Sequence, residues 1–572
     1  MRYTYFAAGL LLIAASFVSC KKDKSDFSYD NRPVTDVQGN SLLRIVNLAG
    51  HSQMIANGDT LTSFAIILPN QEVRYPSTYY FPETGRLGTT WNIPRSILRS
   101  GKATLQTETA VYQQVPDKYK FDVEEKNNAP MDYYLLQSDM WTIGTLPAVL
   151  PVPRSVTAPA KAGYFKIRLL NLADELKPQS DDMENVSGPL TLTYADGTPV
   201  SPATSNITLG LASDYIEVPY GVYQFKVLTP AGIQVTGGGG SAQENTHMID
   251  PATSTLVKGV SGRPHTVSTH LTYAPVRTYQ PGGVYTIVVG VDRFTTPYYN
   301  GQPGETTSGM QNAFRVMTDV SEPENVNYTR LQAVHALPGS GKVQVRVNGR
   351  PLAELAYSGH SEYGIYVSGQ SKIEALDDKG SVIASHDALL SAGQNYTAWV
   401  YTAPDGKPAI SLVSNNLSGG YYFPGAQNPD DGTYTRIQLK YPFQFRFMNF
   451  CADLPYVSFT TDNGQPFTGT TSARNLQPGK PLLDLPYVSY GQEREPYQIM
   501  AFRSSPAVYP GTWLSEIATL NSTDMIARRE LYVRGELPNH EPGVYTIALV
   551  GQLKGGQPEA QKAKMIIVKH TK

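Results

Sequence analysis

The sequence LQAVHALPGSGKVQVRVNG, residues 331–349, contains the pattern that decides the fold. Val343, Val345 and Val347 alternate with polar residues, and this period of two predicts a strand that turns its valines to a core and its polar side chains to water. The strand ends at Asn348-Gly349, a pair typical of two-residue hairpin turns because both residues tolerate positive φ. The stretch therefore predicts a β-hairpin with one buried face.

Four copies of this pattern occur along the chain. Each begins with a short strand in which apolar residues flank a polar one and the last residue is Asn or His, at residues 43–47, 167–171, 331–335 and 445–449. Each then reaches a turn pair, at Asn57-Gly58, Asp196-Gly197, Asn348-Gly349 and Asn463-Gly464. A later strand carries a Tyr-Thr pair shortly after a glycine, at residues 283–289, 393–400 and 543–549, and the first copy offers residues 133–136 there. Repeated strands and turns of this kind predict β-sandwiches.

Length and composition agree with an array of such units. At about 150 residues per domain, a chain of 572 residues favours four domains. The 49 Gly, 42 Pro and only 17% charged residues favour short strands joined by turns over helical bundles. The formal net charge of -2 argues against a nucleic-acid partner, which needs a clustered basic surface. We therefore expect an all-β chain of tandem antiparallel β-sandwich domains.

Shifts in composition predict the domain boundaries. We expect a signal peptide at 1–19, a modified Cys and flexible tether at 20–40, and sandwiches at 41–157, 164–320, 328–418 and 434–572. Stretches rich in Pro, Gly, Ser or Asn, at 151–163, 321–327 and 417–432, predict spacers between them. The second sandwich carries the longest insertions, and residues 237–240 and 294–309 predict mobile loops.

The amino terminus predicts export and a lipid anchor. Residues 6–18 form an apolar run that is too short to span a membrane and typical of a signal peptide. The run ends at Phe17-Val18-Ser19-Cys20, which resembles the lipobox of bacterial lipoproteins, where a small residue precedes the acylated Cys. The alternative is an ordinary cleaved signal peptide with an incidental Cys. The polar tether after Cys20 resembles those of bacteroidete-type surface lipoproteins, which implies a palmitate-bearing protein of the outer membrane, facing the cell surface or the periplasm.

The third copy resembles a known family. Residues 333–338 (AVHALP), 343–349 (VQVRVNG) and 390–397 (LSAGQNYT) are similar to an uncharacterised Ig-like repeat domain of bacterial lipoproteins and secreted proteins. That family shows a strand ending V-H-A-S-P, a V-N-G hairpin and a G-x-x-Y-T strand, and Leu337 stands here where the family has Ser. The resemblance is partial in the other three copies. It implies an Ig-like β-sandwich and no established activity.

We expect structural roles for several individual residues. His335 holds the strand-end position that Asn occupies in the other copies, and we expect it to bond loop backbone. The Tyr of each Tyr-Thr pair is expected to bond a neighbouring backbone carbonyl, as a tyrosine corner does. Cys451 is expected to be a buried, inert thiol, and with Cys20 modified no intrachain disulfide is available.

The residues show no catalytic constellation, and we expect no enzymatic activity, no cofactor and no metal site. The four Trp are Trp91, Trp141, Trp399 and Trp513. Trp399 has the phase of a core residue, whereas Trp91, between two polar residues, is a weak candidate for an exposed ring that stacks on a sugar.

Two hypotheses about function follow. The first is a non-catalytic envelope lipoprotein that acts as an adhesion, structural or interaction array, held at the membrane by its anchor and contacting other envelope proteins or polysaccharide. The alternative is a glycan-binding accessory lipoprotein of a nutrient-uptake system, which needs an exposed aromatic cluster. An enzyme would require an acid-base pair in the long loops of the second sandwich.

Overall fold

The computed structural model describes residues 39–63, 65–66, 73–109, 117–137, 144–176, 186–237, 247–249, 256–258, 277–297, 306–320, 324–417, 443–467, 471–483, 486–489, 497–527, 543–553, 558 and 561–572. These residues form strands and short 3₁₀ turns and contain no α-helix, which confirms the predicted all-β class. No helix that could cross a membrane occurs in the described part. The predicted signal peptide, Cys20 and most of the tether lie outside the described residues.

The strands fall into four groups, which we call modules 1 to 4. Module 1 contains β1 (Asn40–Asn47), β2 (Gln53–Ala56), β3 (Asp59–Thr60), β4 (Ala65–Ile66), β5 (Val73–Arg74), β6 (Thr90–Pro94), β7 (Lys102–Glu108), β8 (Lys118–Glu124), β9 (Met131–Leu135) and β10 (Val149–Pro153). Module 2 contains β11 (Tyr164–Leu172), β12 (Thr191–Thr193), β13 (Ile216–Pro219), β14 (Gly221–Tyr223), β15 (Lys226–Leu228), β16 (Thr236–Gly237), β17 (His247–Ile249), β18 (Leu256–Lys258), β19 (Arg277–Tyr279), β20 (Val284–Pro297) and β21 (Thr306–Val320).

The carboxyl-terminal half has shorter connections. Module 3 contains β22 (Tyr328–Ala336), β23 (Val343–Val347), β24 (Arg350–Leu355), β25 (Gly364–Val367), β26 (Gly369–Leu376), β27 (Val382–Leu390), β28 (Asn395–Thr402) and β29 (Pro408–Asn415). Module 4 contains β30 (Phe443–Phe450), β31 (Val457–Thr460), β32 (Tyr487–Ser489), β33 (Gln498–Ser505), β34 (Val508–Trp513), β35 (Leu520–Asn521), β36 (Gly543–Val550) and β37 (Lys564–Lys569).

Each module has one mixed sheet built around its first strand. The strand orders are β10-β9-β1-β6, β13-β11-β20-β21-β16, β25-β22-β28-β29 and β32-β30-β36-β37. The first strand of each module runs parallel to the later strand of the Tyr-Thr pattern. The β-sandwich prediction is confirmed, and each mixed sheet adds this parallel pair to its antiparallel pairs, since the first and the Tyr-Thr strands are far apart in sequence and need no hairpin between them.

A second sheet closes the sandwich in modules 1, 3 and 4, with the orders β3-β2-β7-β8, β24-β23-β26-β27 and β31-β33-β34. The predicted turn at Asn348-Gly349 lies where it was expected and joins β23 to β24, because Val347 pairs with Arg350 across these two residues, which have φ of 50° and 77°. Residues 331–336 belong to β22, which lies in the mixed sheet and does not pair with β23. The three valines of β23 are fully buried, and Gln344 and Arg346 between them are partly exposed. Asn57-Gly58 and Asn463-Gly464 also turn with positive φ at both residues, whereas in Asp196-Gly197 only the glycine does.

Strand register corrects the alignment of module 1. Arg44 of β1 pairs with Asp132 of β9, as Arg168 pairs with Thr286 in module 2. Met131-Asp132 therefore occupies the Tyr-Thr position, and the predicted match at residues 133–136 is two residues too late. The tyrosines at 133 and 134 misled the pattern because they also lie on a half-buried strand, where aromatic residues are common.

The structure also changes two predicted loops. Residues 294–309 were predicted to be a mobile loop, but β20 runs to Pro297 and β21 begins at Thr306, so half of this stretch belongs to two long paired strands, and residues 298–305 lie outside the described part. Gly237 belongs to β16, and the other three glycines of that run lie outside the described residues. The predicted spacer at 151–163 begins inside β10, which pairs with β9.

The mixed sheets of modules 1 and 2, and those of modules 3 and 4, pack against each other, and we call the two contacts seam 1–2 and seam 3–4. The apolar residues of seam 1–2 include Val46, Tyr134, Leu136, Val152, Leu170, Leu172, Val288 and Met317. Those of seam 3–4 include Val334, Ala336, Trp399, Val413, Met448, Phe450, Ala548, Val550 and Val568. Successive side chains of a strand face opposite sides of its sheet, so the first strands are buried in a module core on one side and in a seam on the other.

Modules 2, 3 and 4 also meet away from the seams. Val222, Leu417 and Val544 form one apolar cluster that joins the three modules. The backbone N–H of Gln224 donates to the carbonyl of Lys572 at 2.8 Å, which holds the chain after β37 against module 2. The described modules therefore contact one another over apolar surfaces and are not joined by linkers alone.

Candidate functional site

The structure places the predicted sugar-stacking residue in a core. Trp91 is 9% exposed and its ring lies 5.4 Å from that of Phe81, so it has no face free for a sugar, and the candidate is corrected. On β6 the side chains alternate between the two faces of the sheet, and Trp91 lies on the face that points to the core. Its two polar neighbours face the other way, so their polarity did not indicate that Trp91 is exposed. Trp513 is 48% exposed, and Trp141 lies outside the described residues.

Trp399 is fully buried, as predicted, but it fills a seam and not a module core. Its ring stacks on Phe450 of module 4 with centroids 4.5 Å apart and planes 18° apart. This contact crosses from β28 to β30, so the largest side chain of seam 3–4 is shared between two modules. A large aromatic ring at such a position contributes to the association of the modules.

The strand-end position has the same role in all four modules. The Asn47, Asn171 and Asn449 side chains each donate to two backbone carbonyls of neighbouring loops, at 2.7–3.1 Å. His335 confirms its predicted role, since its Nε2 lies 3.0 Å from the Gly341 carbonyl oxygen and its Nδ1 accepts from the Leu337 N–H. These residues fix loops and offer no reactive group.

The tyrosines of the Tyr-Thr pairs bond to backbone in two ways. The Tyr285 hydroxyl accepts from the N–H of Gln280 at 3.0 Å, and the Tyr396 hydroxyl accepts from the N–H of Ser391 at 3.2 Å. The Tyr545 hydroxyl donates to the Met525 carbonyl at 3.4 Å, as predicted. All three contacts are structural, but in two of them the backbone partner is an amide and not the predicted carbonyl.

Cys451 is buried and unreactive in character, as predicted. It is 0% exposed and its Sγ lies 3.0 Å from Oδ1 of Asp453. Burial, followed by the adjacent carboxylate, raises the pKa of this thiol far above its ordinary value. Because the thiolate is the nucleophilic form, the raised pKa and the burial of Cys451 disfavour nucleophilic attack by its sulfur.

Charged side chains lie at the centre of seam 1–2. Arg44 of module 1 makes a bidentate contact with Asp132 of its own module, at 3.0 and 2.6 Å, and its Nη2 also lies 2.6 Å from Asp319 of module 2. Arg154 donates to the same Asp132 at 2.8 Å. Burial alone would lower the pKa of Arg44, but the charges of Asp132 and Asp319 outweigh that effect and raise it.

Module 2 completes this network. Asp319 accepts from the hydroxyls of Thr286, at 2.5 Å, and Tyr215, at 2.9 Å. Arg168 donates to Thr286 at 2.9 Å and lies over the Tyr215 ring at 4.6 Å. The aspartate side chains are fully buried and the arginines Arg44 and Arg154 nearly so, hence the pairs are shielded from solvent and salt.

Seam 3–4 has a network of mostly neutral side chains in the same place. His570 of module 4 lies 2.8 Å from the amide nitrogen of Gln332 of module 3, 3.1 Å from the Tyr363 hydroxyl and 2.7 Å from the Thr546 hydroxyl. Gln332 also donates to Thr397 at 2.9 Å. Around His570, modules 3 and 4 are therefore joined through a side-chain amide, hydroxyls and an imidazole.

Arg446 is the charged residue at the centre of seam 3–4. Its Nη2 donates to the amide oxygen of Asn415 at 2.5 Å and to the Thr546 hydroxyl at 3.1 Å. Its guanidinium carbon lies over the Tyr487 ring, 5.3 Å from the ring centroid. Among the described residues no ion pair of Arg446 with a carboxylate is found. Burial lowers the pKa of Arg446, and the nearby Tyr487 and Tyr363 oppose that shift.

Register shows that the two seams use equivalent positions. The polar residues of the first strands are Arg44, Arg168, Gln332 and Arg446, and the residues that pair with them on the parallel strand are Asp132, Thr286, Thr397 and Thr546. On its other side, each Tyr-Thr strand pairs with an antiparallel strand, which is β10, β21, β29 or β37. In that strand one residue pairs with the Tyr of the pattern, or with Met131 in module 1. The residues that directly follow these paired residues are Arg154, Asp319, Asn415 and His570.

The same contact crosses seam 1–2 in both directions and seam 3–4 in one direction. The Nη1 of Arg44 donates to the Thr318 carbonyl of module 2, that of Arg168 to the Pro153 carbonyl, and that of Arg446 to the Ser414 carbonyl, each at 2.8 Å. Each carbonyl lies at the equivalent position of the partner module. Two modules that present the same patch to each other form an isologous contact, the geometry of a twofold dimer within one chain.

The seam residues were not identified by sequence reasoning, although a signal was present. In every copy a polar residue interrupts an apolar strand. Such a residue is ordinary if the outer face of the sheet is in contact with water, but it needs polar partners if that face is buried. Arg44, Arg168, Gln332 and Arg446 are all at most 5% exposed. Their partners lie far away in the sequence, so their pairing follows from the tertiary packing of modules.

An open cleft lies on module 1 among the described residues. Its volume is about 720 Å³, within the usual size range of ligand pockets, and it is lined by Lys102, Asp122, Glu124 and Tyr133 among others. Tyr133 is half-buried and its ring stacks on Phe121 with centroids 5.9 Å apart. The carboxylates already pair with neighbours, since Lys102 lies 3.2 Å from Glu124. The cleft offers one aromatic ring beside hydrogen-bonding groups.

Comparisons with known proteins give little support for an identity. No family model matches the chain, and no curated protein matches it. A solved structure of a Bacteroides fragilis protein, provisionally named a cell adhesion protein, is similar at 9% identity with a TM-score of 0.12, over 44% of this chain and 98% of that chain. A likeness at this level carries no conclusion about fold or function.

Within the described residues, no group of three or more His, Cys, Asp or Glu side chains is arranged to hold a metal.

Proposed function

We propose that this protein is a non-catalytic lipoprotein of the bacterial envelope, anchored through an acylated Cys20, whose Ig-like sandwiches act as an adhesion, structural or interaction array. The observation that supports it is the pair of seams. Their apolar and charged side chains bury the outer faces of the mixed sheets, so the modules form two back-to-back pairs and not four independently moving domains. A protein that holds a partner at a distance from a membrane, or bears load there, benefits from this stiffness.

The anchor follows from the resemblance of residues 17–20 to a lipobox. Radiolabelled palmitate fed to cells should label the wild-type protein, and Cys20→Ser should abolish the label and release the protein from the outer membrane. A wild-type protein without label, or a Cys20→Ser variant that stays in the membrane, would reject the anchor. Protease added to intact cells then distinguishes display at the cell surface from a periplasmic position.

The array function is tested with the anchored protein in place. Cells that carry the wild-type protein should adhere to other cells or to envelope material better than cells that carry a deletion. Arg44→Ala, which disturbs seam 1–2 and leaves the anchor intact, should reduce adherence if stiffness matters. Equal adherence of the deletion strain and the wild type would remove the adhesion reading.

The second candidate is glycan binding, favoured by the cleft on module 1. Tyr133 offers a ring to a sugar face, and Asp122 and the neighbouring polar groups offer hydrogen bonds to hydroxyls. Calorimetry against a panel of polysaccharides should then show heat that Tyr133→Ala removes. Trp513→Ala is the matched control, because Trp513 is exposed on module 4 and lies outside the cleft. No heat with any glycan would exclude this candidate.

A further inference from the structure

We propose that seam 3–4 is an acid-sensitive joint, in which protonation of His570 loosens the contact between modules 3 and 4 while seam 1–2 stays closed. The inference goes beyond the proposed function and does not depend on the anchor or on any ligand. It rests on the hydrogen bonds of one buried imidazole and on the charges around it.

The geometry assigns the protonation state of His570. The amide nitrogen of Gln332 lies 2.8 Å from Nδ1 and donates also to Thr397, so Nδ1 is an acceptor and carries no proton. The Nε2 atom then carries the hydrogen and donates to the Thr546 hydroxyl at 2.7 Å. A proton added at Nδ1 would face the Gln332 amide hydrogens at the shorter of the two contacts of this atom, and only the Tyr363 hydroxyl, 3.1 Å away, could accept it, in a site that is 2% exposed.

The surroundings of His570 also disfavour a positive charge. The titratable and charged groups around it come from the first strands of both modules, from the segment before β25 and from the end of the chain: Arg330, Arg446, His360, Glu362, Tyr363, Lys569 and Lys572. Glu362 is paired with Lys572 at 3.2 Å, and it is mostly exposed. Burial first, then Arg446, His360 and Arg330, holds the pKa of His570 well below its ordinary value of 6.5.

The sign of the pH effect follows from linkage. The closed seam binds fewer protons than the open one, so the stability that His570 contributes is complete above pH 6.5 and declines as the pH falls below that value. Each unit below 6.5 shifts the equilibrium between closed and open seam by up to tenfold, until the pKa of the closed form is reached. The equivalent residue of seam 1–2 is Asp319, whose partners include Arg44, so that seam lacks this imidazole.

Hydrogen exchange followed by mass spectrometry tests the joint in the full chain. Between pH 7.5 and pH 5.0, after correction for the intrinsic pH dependence of exchange, strands Asn395–Thr402 and Gly543–Val550 should exchange at least tenfold faster in the wild type. The His570→Gln variant, whose amide has no proton to gain at these pH values, should show no such acceleration. Strand Met131–Leu135 of seam 1–2 is the internal reference for effects that do not involve His570.

Two further variants keep the test decisive. His570→Asn replaces His570→Gln if the latter fails to match the wild-type exchange at pH 7.5, and His360→Gln, at an exposed imidazole, should keep the full acid response. The joint would be rejected if the wild type showed no acceleration, if the His570 variants accelerated as the wild type does, or if His360→Gln abolished the effect.

Discussion

Seams 1–2 and 3–4 solve the same packing problem with different chemistry. Both bring two mixed sheets face to face, with the polar residue of each first strand at the centre. In seam 1–2 the central Arg44 is neutralised by Asp132 and Asp319, whereas in seam 3–4 the equivalent residue is the uncharged Gln332. The backbone register is therefore the same in both seams. The side chains at the equivalent positions form ion pairs in seam 1–2 and mostly hydrogen bonds between neutral groups in seam 3–4.

The difference has an energetic consequence. A buried ion pair is a weak source of net stability, but removal of one partner leaves the other charged and desolvated. Neutral hydrogen bonds are cheaper to break, since a buried amide or hydroxyl without a partner costs less than a buried charge. Seam 1–2 should accordingly be the more sensitive to truncation at its centre, although both seams bury similar kinds of apolar side chains.

The largest expected effect is that of Arg44→Ala. Asp132 and Asp319 lose contacts at 2.6 Å and remain buried, which should destabilise modules 1 and 2 by about 3–5 kcal/mol. Urea unfolding of the full chain, with the transition of modules 1 and 2 identified by hydrogen exchange, measures the loss. Asp132 keeps Arg154 as a partner, so most of the penalty falls on the contact with Asp319.

Gln332→Ala is the matched control at the equivalent position of seam 3–4. It removes two hydrogen bonds between neutral groups, to His570 and Thr397, and should cost about 1–3 kcal/mol in the transition of modules 3 and 4. If Gln332→Ala cost as much as Arg44→Ala, charge would not be the difference between the seams.

A charge transplant provides the next largest effect. Gln332→Arg adds a third buried cation near Arg446 and Arg330, and it should destabilise modules 3 and 4. His570→Asp places a carboxylate where seam 1–2 has Asp319, so the double variant should recover part of the loss. The double-mutant cycle should show a favourable coupling of about 0.5–3 kcal/mol, measured by the same urea transitions. Additive single effects would mean that the two seams are not equivalent in geometry.

The local pattern of the sequence predicted much of the fold. The alternation of Val343, Val345 and Val347 with polar residues and the Asn348-Gly349 turn describe the hairpin as found, because both depend on neighbours in the chain. The parallel pairing of β22 with β28 was not predicted, since a strand pattern does not name its partner. The shift to Met131-Asp132 in module 1 was missed for the same reason, as register is a property of two strands.

The candidate site depended even less on local signals. Trp91 is buried because its side chain lies on the face of β6 that packs against the core, whereas its polar neighbours in the sequence had suggested an exposed ring. Arg44 was visible as a polar residue in an apolar strand, but Asp319, its partner, is 275 positions away. Only the packing of one module on the next converts an ordinary amphipathic strand into one that is buried on both faces.

The smallest expected effect concerns a position that both pairs of modules use alike. His335→Asn introduces the residue that modules 1, 2 and 4 have at the strand end, where an Asn side chain bonds loop carbonyls and a backbone N–H. The change should cost less than about 1 kcal/mol, because the shorter amide can address the same kinds of loop groups as the imidazole.

His335→Leu separates hydrogen bonding from size at this position. Leucine fills similar space but leaves the Gly341 carbonyl and the Leu337 N–H without their side-chain partner, so it should cost about 1–3 kcal/mol. Thermal unfolding at pH 7.5 compares the two variants with the wild type. Equal losses for Asn and Leu would show that the imidazole acts through its shape and its 5.8 Å contact with the Tyr357 ring, and the strand-end position would then not be common to the four modules.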